Sequence, residues 1–83
     1  MGSKTFDGVR FAAYTLDHLP PHVHGFYAEV EVIVELQHGK TRLSSRRDAI
    51  SPLSGKRSDV NYVLRTATKY AAELVELWRA ARG

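Results

Sequence analysis

His22-Val23-His24-Gly25-Phe26-Tyr27-Ala28-Glu29-Val30-Glu31-Val32-Ile33-Val34-Glu35-Leu36 sets the architecture of this chain. From Glu29 onward, apolar and acidic residues alternate with a period of two. That pattern predicts a half-buried strand over 29–37, with Val30, Val32, Val34 and Leu36 turned inward. A two-residue turn at Tyr27-Ala28 folds a second strand, 22–26, back against it. In that register His24 faces Glu31, His22 faces Ile33, and Val23 joins the valine face. A turn at His38-Gly39 suits another hairpin, because glycine adopts positive φ without steric cost. It sets a strand over 40–44 beside the valine strand, with Glu35 opposite Arg42 and Val34 opposite Leu43. The two turns agree on one apolar and one polar face, and that agreement is what makes a sheet here credible.

Toward the N-terminus, Val9 to Thr15 reads as a further strand, 9–15, opened by Gly8 and closed before Asp17. Met1-Gly2-Ser3 has the look of a cloning remnant and is left out of the expected fold. Leu19-Pro20-Pro21 is expected to be extended, since each proline fixes its own φ and steers its predecessor away from the helical region. Toward the C-terminus, Val60, Leu64, Ala67, Ala71, Leu74, Trp78 and Ala81 recur at spacings of four and three. That stripe predicts one long helix over 58–82, with Ser58 as N-cap, Asp59 in the first turn, and Arg79 and Arg82 in the last. Such a helix runs about 37 Å at 1.5 Å per residue, against a radius of gyration near ~12 Å for a domain of this size. It is expected to bend or overhang its sheet, leaving Leu77 and Trp78 to meet a second subunit. Arg46 to Arg57, holding Pro52 and Gly55, reads as a loop with at most one helical turn near Asp48. The expected fold class is α+β: a three- to four-stranded antiparallel sheet packed on one C-terminal helix, all within a single domain spanning 1–83.

At 83 residues such a domain buries roughly 60% of the surface of its unfolded chain, so its core is thin. There is no cysteine, which excludes disulfides, thiolate metal sites and a cysteine nucleophile. No run approaches the ~18 apolar residues of a membrane span, and the N-terminal residues lack the pattern of a secretion signal. The expected setting is cytoplasmic, with no membrane partner. Net charge is +3, from 12 basic and 9 acidic side chains. Lys40, Arg42, Arg46, Arg47, Lys56 and Arg57 face a single acid, Asp48, within one stretch, while Glu29, Glu31 and Glu35 lie just before it. That polarity can steer an anionic partner, or it can be a solvated loop.

Three of the four histidines fall in Asp17-His18-Leu19-Pro20-Pro21-His22-Val23-His24. On a strand, His22 and His24 project from one face at neighbouring positions. Two imidazoles so placed can clamp a divalent metal, with His18, Asp17 or Glu31 completing the set. Alternatively, a carboxylate can hold one ring as a base. The same residues also serve as ordinary cross-strand pairs worth ~0.2–1 kcal/mol. Ser44, Ser45, Ser51, Ser54 and Ser58 lie in no nucleophile elbow, and no glycine-rich phosphate loop is present.

The run Asp17-His18-x-Pro20-Pro21-His22-x-His24 resembles the hallmark of a small prokaryotic family catalogued as domain of unknown function 4160. The similarity continues through Gly8-Val9-Arg10-Phe11, the Glu31-to-Leu36 strand and a closing helix with Leu74, Leu77 and Trp78. The resemblance implies a compact protein, often encoded beside another small protein in arrangements like toxin–antitoxin modules. It brings no catalytic assignment. The stretch from Arg46 to Arg57 departs from the family by being longer and more basic.

Two functions compete. The first is a binding module that meets a partner protein or nucleic acid through Asp17, His18, His22, His24, Arg42, Arg46, Arg47, Lys56 and Arg57, with nucleic acid held through its phosphates. The second is a small enzyme, a metal-dependent hydrolase or metal-free ribonuclease, using His18, His22, His24 and Glu31. No cofactor is expected beyond a candidate divalent metal on His18, His22 and His24. A homodimer or a small partner protein completes the expected partners.

Overall fold

The computed structural model describes residues 2–15, 18–37 and 39–82. Six strands and two helices follow in order: β1 Gly2–Phe6, β2 Val9–Ala13, β3 His22–Tyr27, β4 Val30–Gln37, β5 Lys40–Leu43, β6 Ile50–Ser51, α1 Arg57–Lys69 and α2 Ala71–Arg82. Adjacent strands pair antiparallel in the order β1-β2-β3-β4-β5, and β6 pairs with β4. The α+β class and the antiparallel sheet match the sequence pattern; the strand number and the single helix do not.

The valine strand lies where its alternation puts it. Val30, Val32, Val34 and Leu36 are buried with Val9, Phe11, Ala13 and Val23 against Val60, Val63, Ala67, Leu74, Leu77 and Trp78 of the helices. Gly25 sits on this face at a close approach: a Cβ there would lie 2.6 Å from a Val63 methyl. The β4–β5 register, Glu35 opposite Arg42 and Val34 opposite Leu43, is the expected one. His38 lies outside the described residues, and Gly39 takes the positive φ, 73°, that the turn needs.

The β3–β4 register is a correction. The turn falls at Ala28-Glu29 rather than Tyr27-Ala28, so His22 faces Glu35 and His24 faces Ile33. The slip is by two positions, an even number, so every side chain keeps its face. That is why the valines remain inward although the partners change.

Four further differences have local causes. Gly2 and Ser3, set aside in the sequence reading, pair with Ala13 and Ala12 in β1. The turn that returns them is Asp7-Gly8, with φ of 50° and 84°, the Asp-Gly chemistry that hairpins favour. The expected single helix is two, interrupted at Tyr70 with φ −111° and ψ 28°. The ring of Tyr70 stacks on Phe6 at 4.4 Å and its hydroxyl reaches Asp7, so the interruption is fastened to the β1–β2 hairpin. α1 begins one residue early, at Arg57, with Lys56 rather than Ser58 at the N-cap.

Finally, the chain from Arg46 to Arg57 is more than a loop. After Leu43 it leaves the edge of β4 and returns as β6, with Ile50 opposite Val32. Between them Ser44 donates its N–H to the Ile33 carbonyl at 3.0 Å, and the Ile33 N–H donates to the Ala49 carbonyl at 2.8 Å. Residues 44–49 are therefore an enlarged bulge opposite one residue of β4.

Candidate functional site

The polar face of the sheet is not the open surface that alternation alone implies. His22 is 3% exposed and Glu35 4%, and Ala12, Ile33, Ser44 and Ala49 are buried too. The bulge 44–49 flanks this face on one side and the His18–Pro21 segment on the other, the latter held by a 2.8 Å bond from the Leu36 N–H to the Pro21 carbonyl. Trp78 of α2 also reaches the His22 ring, centroid to centroid 5.4 Å. The expectation that the imidazoles occupy a wet side is corrected for His22.

Both strand histidines have their orientation fixed through Nδ1. The His22 Nδ1 lies 2.8 Å from the Pro20 carbonyl oxygen. A carbonyl only accepts, so Nδ1 carries the hydrogen. The His24 Nδ1 likewise donates to Glu31 Oε2 at 2.9 Å. The His24–Glu31 contact thus forms diagonally across the strands, not between directly facing residues. In the neutral rings the lone pairs then fall on Nε2, and both Nε2 atoms are buried. The two rings stand 5.3 Å apart, and Tyr14 packs edge-on against His24 at 4.8 Å.

A cleft of about 240 Å³ opens beside this pair. Its lining includes His18, His22, Glu35, Arg42, Ser44 and Arg46. Arg42 donates from Nε to Glu35 Oε1 at 3.0 Å, which compensates the buried carboxylate and leaves the terminal guanidinium nitrogens for a ligand. Arg46 is oriented at 3.4 Å by Asp48, a surface pair that contributes little to stability. Arginine forks, serine hydroxyls and an exposed imidazole make the cleft rich in donors, the composition that receives phosphate or carboxylate oxygens.

The candidate residues therefore divide. His18, His22, Arg42 and Arg46 come together. His24 and Glu31 stand beside them as a bonded pair outside the lining. Arg47 and Lys56 are exposed, and Arg57 lines a different hollow on the helix side of the sheet. Asp17 lies outside the described residues. Among the described residues, no group of three or more His, Cys, Asp or Glu side chains is placed to hold a metal ion. No described helix is long and apolar enough to cross a membrane. Leu77 and Trp78, expected at a subunit contact, are buried in the chain's own core. Glu35 and Ser44 are site residues outside the set of binding and catalytic candidates expected from sequence. For Glu35 the signal was present, since the alternation put it on the histidine face opposite Arg42. Comparison of the chain with protein-family models, with curated proteins and with solved structures returned no match.

Proposed function

We propose that the protein is a binding module, of the toxin–antitoxin-like kind that its Asp-His-x-Pro-Pro-His-x-His motif implies, whose cleft receives an anionic group of its partner. The observation that carries this reading is the convergence of the histidine motif and the basic stretch. His18 and His22 line the same 240 Å³ hollow as Arg42 and Arg46, although His22 and Arg42 are 20 positions apart in the chain. A cluster of donors held by a carbonyl, a buried carboxylate and a bulge is preorganised, which lowers the entropy lost on binding.

Burial weighs against the enzymatic alternative. Proton transfer needs a ring nitrogen within reach of the substrate. In His22 and His24, Nδ1 is committed to an acceptor and Nε2 is buried. That leaves His18, which is exposed, as the imidazole best placed to meet a ligand.

The test is a ¹H–¹⁵N NMR titration with inorganic phosphate, acetate and a single-stranded RNA 12-mer. Resonances of His18 and Arg46, and of Gln37 and Ser45 from the same lining, are expected to move, with RNA affinity falling as salt rises. Arg46→Ala should weaken binding at least fivefold without changing the circular dichroism spectrum. If none of the three probes moves those resonances, the reading is wrong. RNA cleavage that disappears in His18→Ala would replace it with the enzymatic one.

A further inference from the structure

A second hollow, of about 320 Å³, lies on the opposite side of the sheet edge. Leu43 of β5, Ile50 of β6, Leu53 of the following turn, and Val60 and Leu64 of α1 form its apolar walls. Leu53 is 84% exposed and Leu43 37%, and only Leu19 joins them as an exposed large hydrophobic among the described residues. Two of three such side chains therefore meet in one groove. Scattered apolar exposure is ordinary, whereas its concentration in a concave patch marks an interaction surface.

The rim carries positive charge. Arg57 and Asn61 are the polar members of the lining, and the exposed Lys56 directly precedes Arg57. No carboxylate lines the groove among the described residues. Asp59, the acid of the first turn, stands about half a turn around the helix from Arg57 and Asn61. The positive end of the α1 dipole adds to the same field.

We infer that this groove docks a segment of a partner protein in which apolar side chains alternate with aspartate or glutamate. Charge decides among occupants. A second copy laid groove to groove would face one positive rim with another and leave Arg57 of each without an acidic partner in the lining. Nucleic acid would satisfy the cations but not the aliphatic walls, and the lining holds no aromatic ring on which a base could stack. An acidic, apolar segment fits both features, with leucine-like side chains in the hollow and carboxylates on the rim. The site is separate from the histidine cleft and stands or falls independently of it.

Panning a phage-displayed random 12-residue peptide library on the full chain tests the inference. The enriched pool is expected to contain at least two large apolar residues per peptide and more Asp and Glu than Lys and Arg. A synthetic peptide of the consensus should bind Leu53→Ser and Arg57→Glu at least tenfold more weakly than the unsubstituted chain. Both substituted side chains are exposed, and a glutamate at the start of α1 suits the helix dipole, so neither substitution should lower the thermal melt. Four results would overturn it: no enrichment, a basic or uncharged consensus, binding insensitive to both substitutions, or a sedimenting dimer that Leu53→Ser dissociates.

Discussion

Asp7 ties the β1–β2 turn to α1 and the residue that ends it, at least 55 positions away in sequence. Its backbone carbonyl accepts from the Tyr62 hydroxyl at 2.6 Å. Its carboxylate accepts from the Lys69 ammonium at 3.0 Å and from the Tyr70 hydroxyl at 3.2 Å. The Lys69 hydrogen bond holds the Asp7 carboxyl below its ordinary range, with help from Tyr70 and from the Lys69 charge and some opposition from desolvation. A depressed folded-state pKa means that the ionised form stabilises the fold. That contribution is complete above about pH 4, the ordinary value for aspartate, and is lost as pH falls through the lower folded value. Asp7→Asn keeps a side chain that tolerates the positive φ of this turn, so it removes the charge with little backbone effect. Urea denaturation of both proteins from pH 7 to pH 2 should show the stability gap narrowing below about pH 4 and closing in strong acid. A gap that stays constant over that range would mean the charge contributes nothing. The contacts are not legible in sequence, because they depend on β1, whose residues Gly2–Phe6 carry no apolar alternation. The Asp7-Gly8 pair was nevertheless a readable hairpin signal.

Turn chemistry explains most of what the sequence concealed among the elements. The β3–β4 turn contains no Gly, Asn or Asp at its first position; Ala28 takes φ 51°. Nothing in the residue types marks that corner, so the alternation fixed the faces while the register was free to be misread by two. The strands themselves were legible because valine periodicity is strong and a two-residue slip does not disturb it. The break at Tyr70 was concealed for another reason. The apolar stripe runs on through it, and the Tyr70 side chain that fastens it does so to Phe6 and Asp7, more than 60 positions away. The same corner gives a prediction. A left-handed conformation costs an alanine roughly 1–2 kcal/mol, a cost glycine does not bear, and Ala28 is exposed. Ala28→Gly is therefore expected to stabilise the protein by about 0.5–1 kcal/mol, net of the entropy glycine adds to the unfolded chain. Chemical denaturation would measure it, and a destabilised variant would show that the corner is not strained.

At the scale of the whole molecule, the histidine cleft and the apolar core are joined through α2. Leu74, Leu77, Trp78 and Ala81 are buried in the same cluster as Val9, Phe11 and the β4 valines. Trp78, with its ring 4.9 Å from the Arg82 guanidinium, also packs against His22. Of the two expectations for the long helix, bending or overhanging its sheet, the interruption at Tyr70 fits the first, and Trp78 of α2 packs at the His22 end of β3. This has a thermodynamic consequence. Small domains retain only about 5–15 kcal/mol of net stability, and truncating one buried leucine to alanine typically costs about 2–5 kcal/mol. Removing α2 deletes two buried leucines and a buried tryptophan at once, which exceeds what a thin core can lose. A chain ending at Tyr70 is expected to lack a cooperative urea transition and to give a collapsed ¹H–¹⁵N spectrum, even though every strand of the sheet is still present. Inorganic phosphate should then produce no localised shifts at His18 or Arg46, because the His22 wall of the cleft loses its backing. Well-dispersed resonances for β2 to β5 in that shortened chain would show instead that the sheet is self-sufficient, and that α2 is an accessory to the cleft rather than part of its foundation.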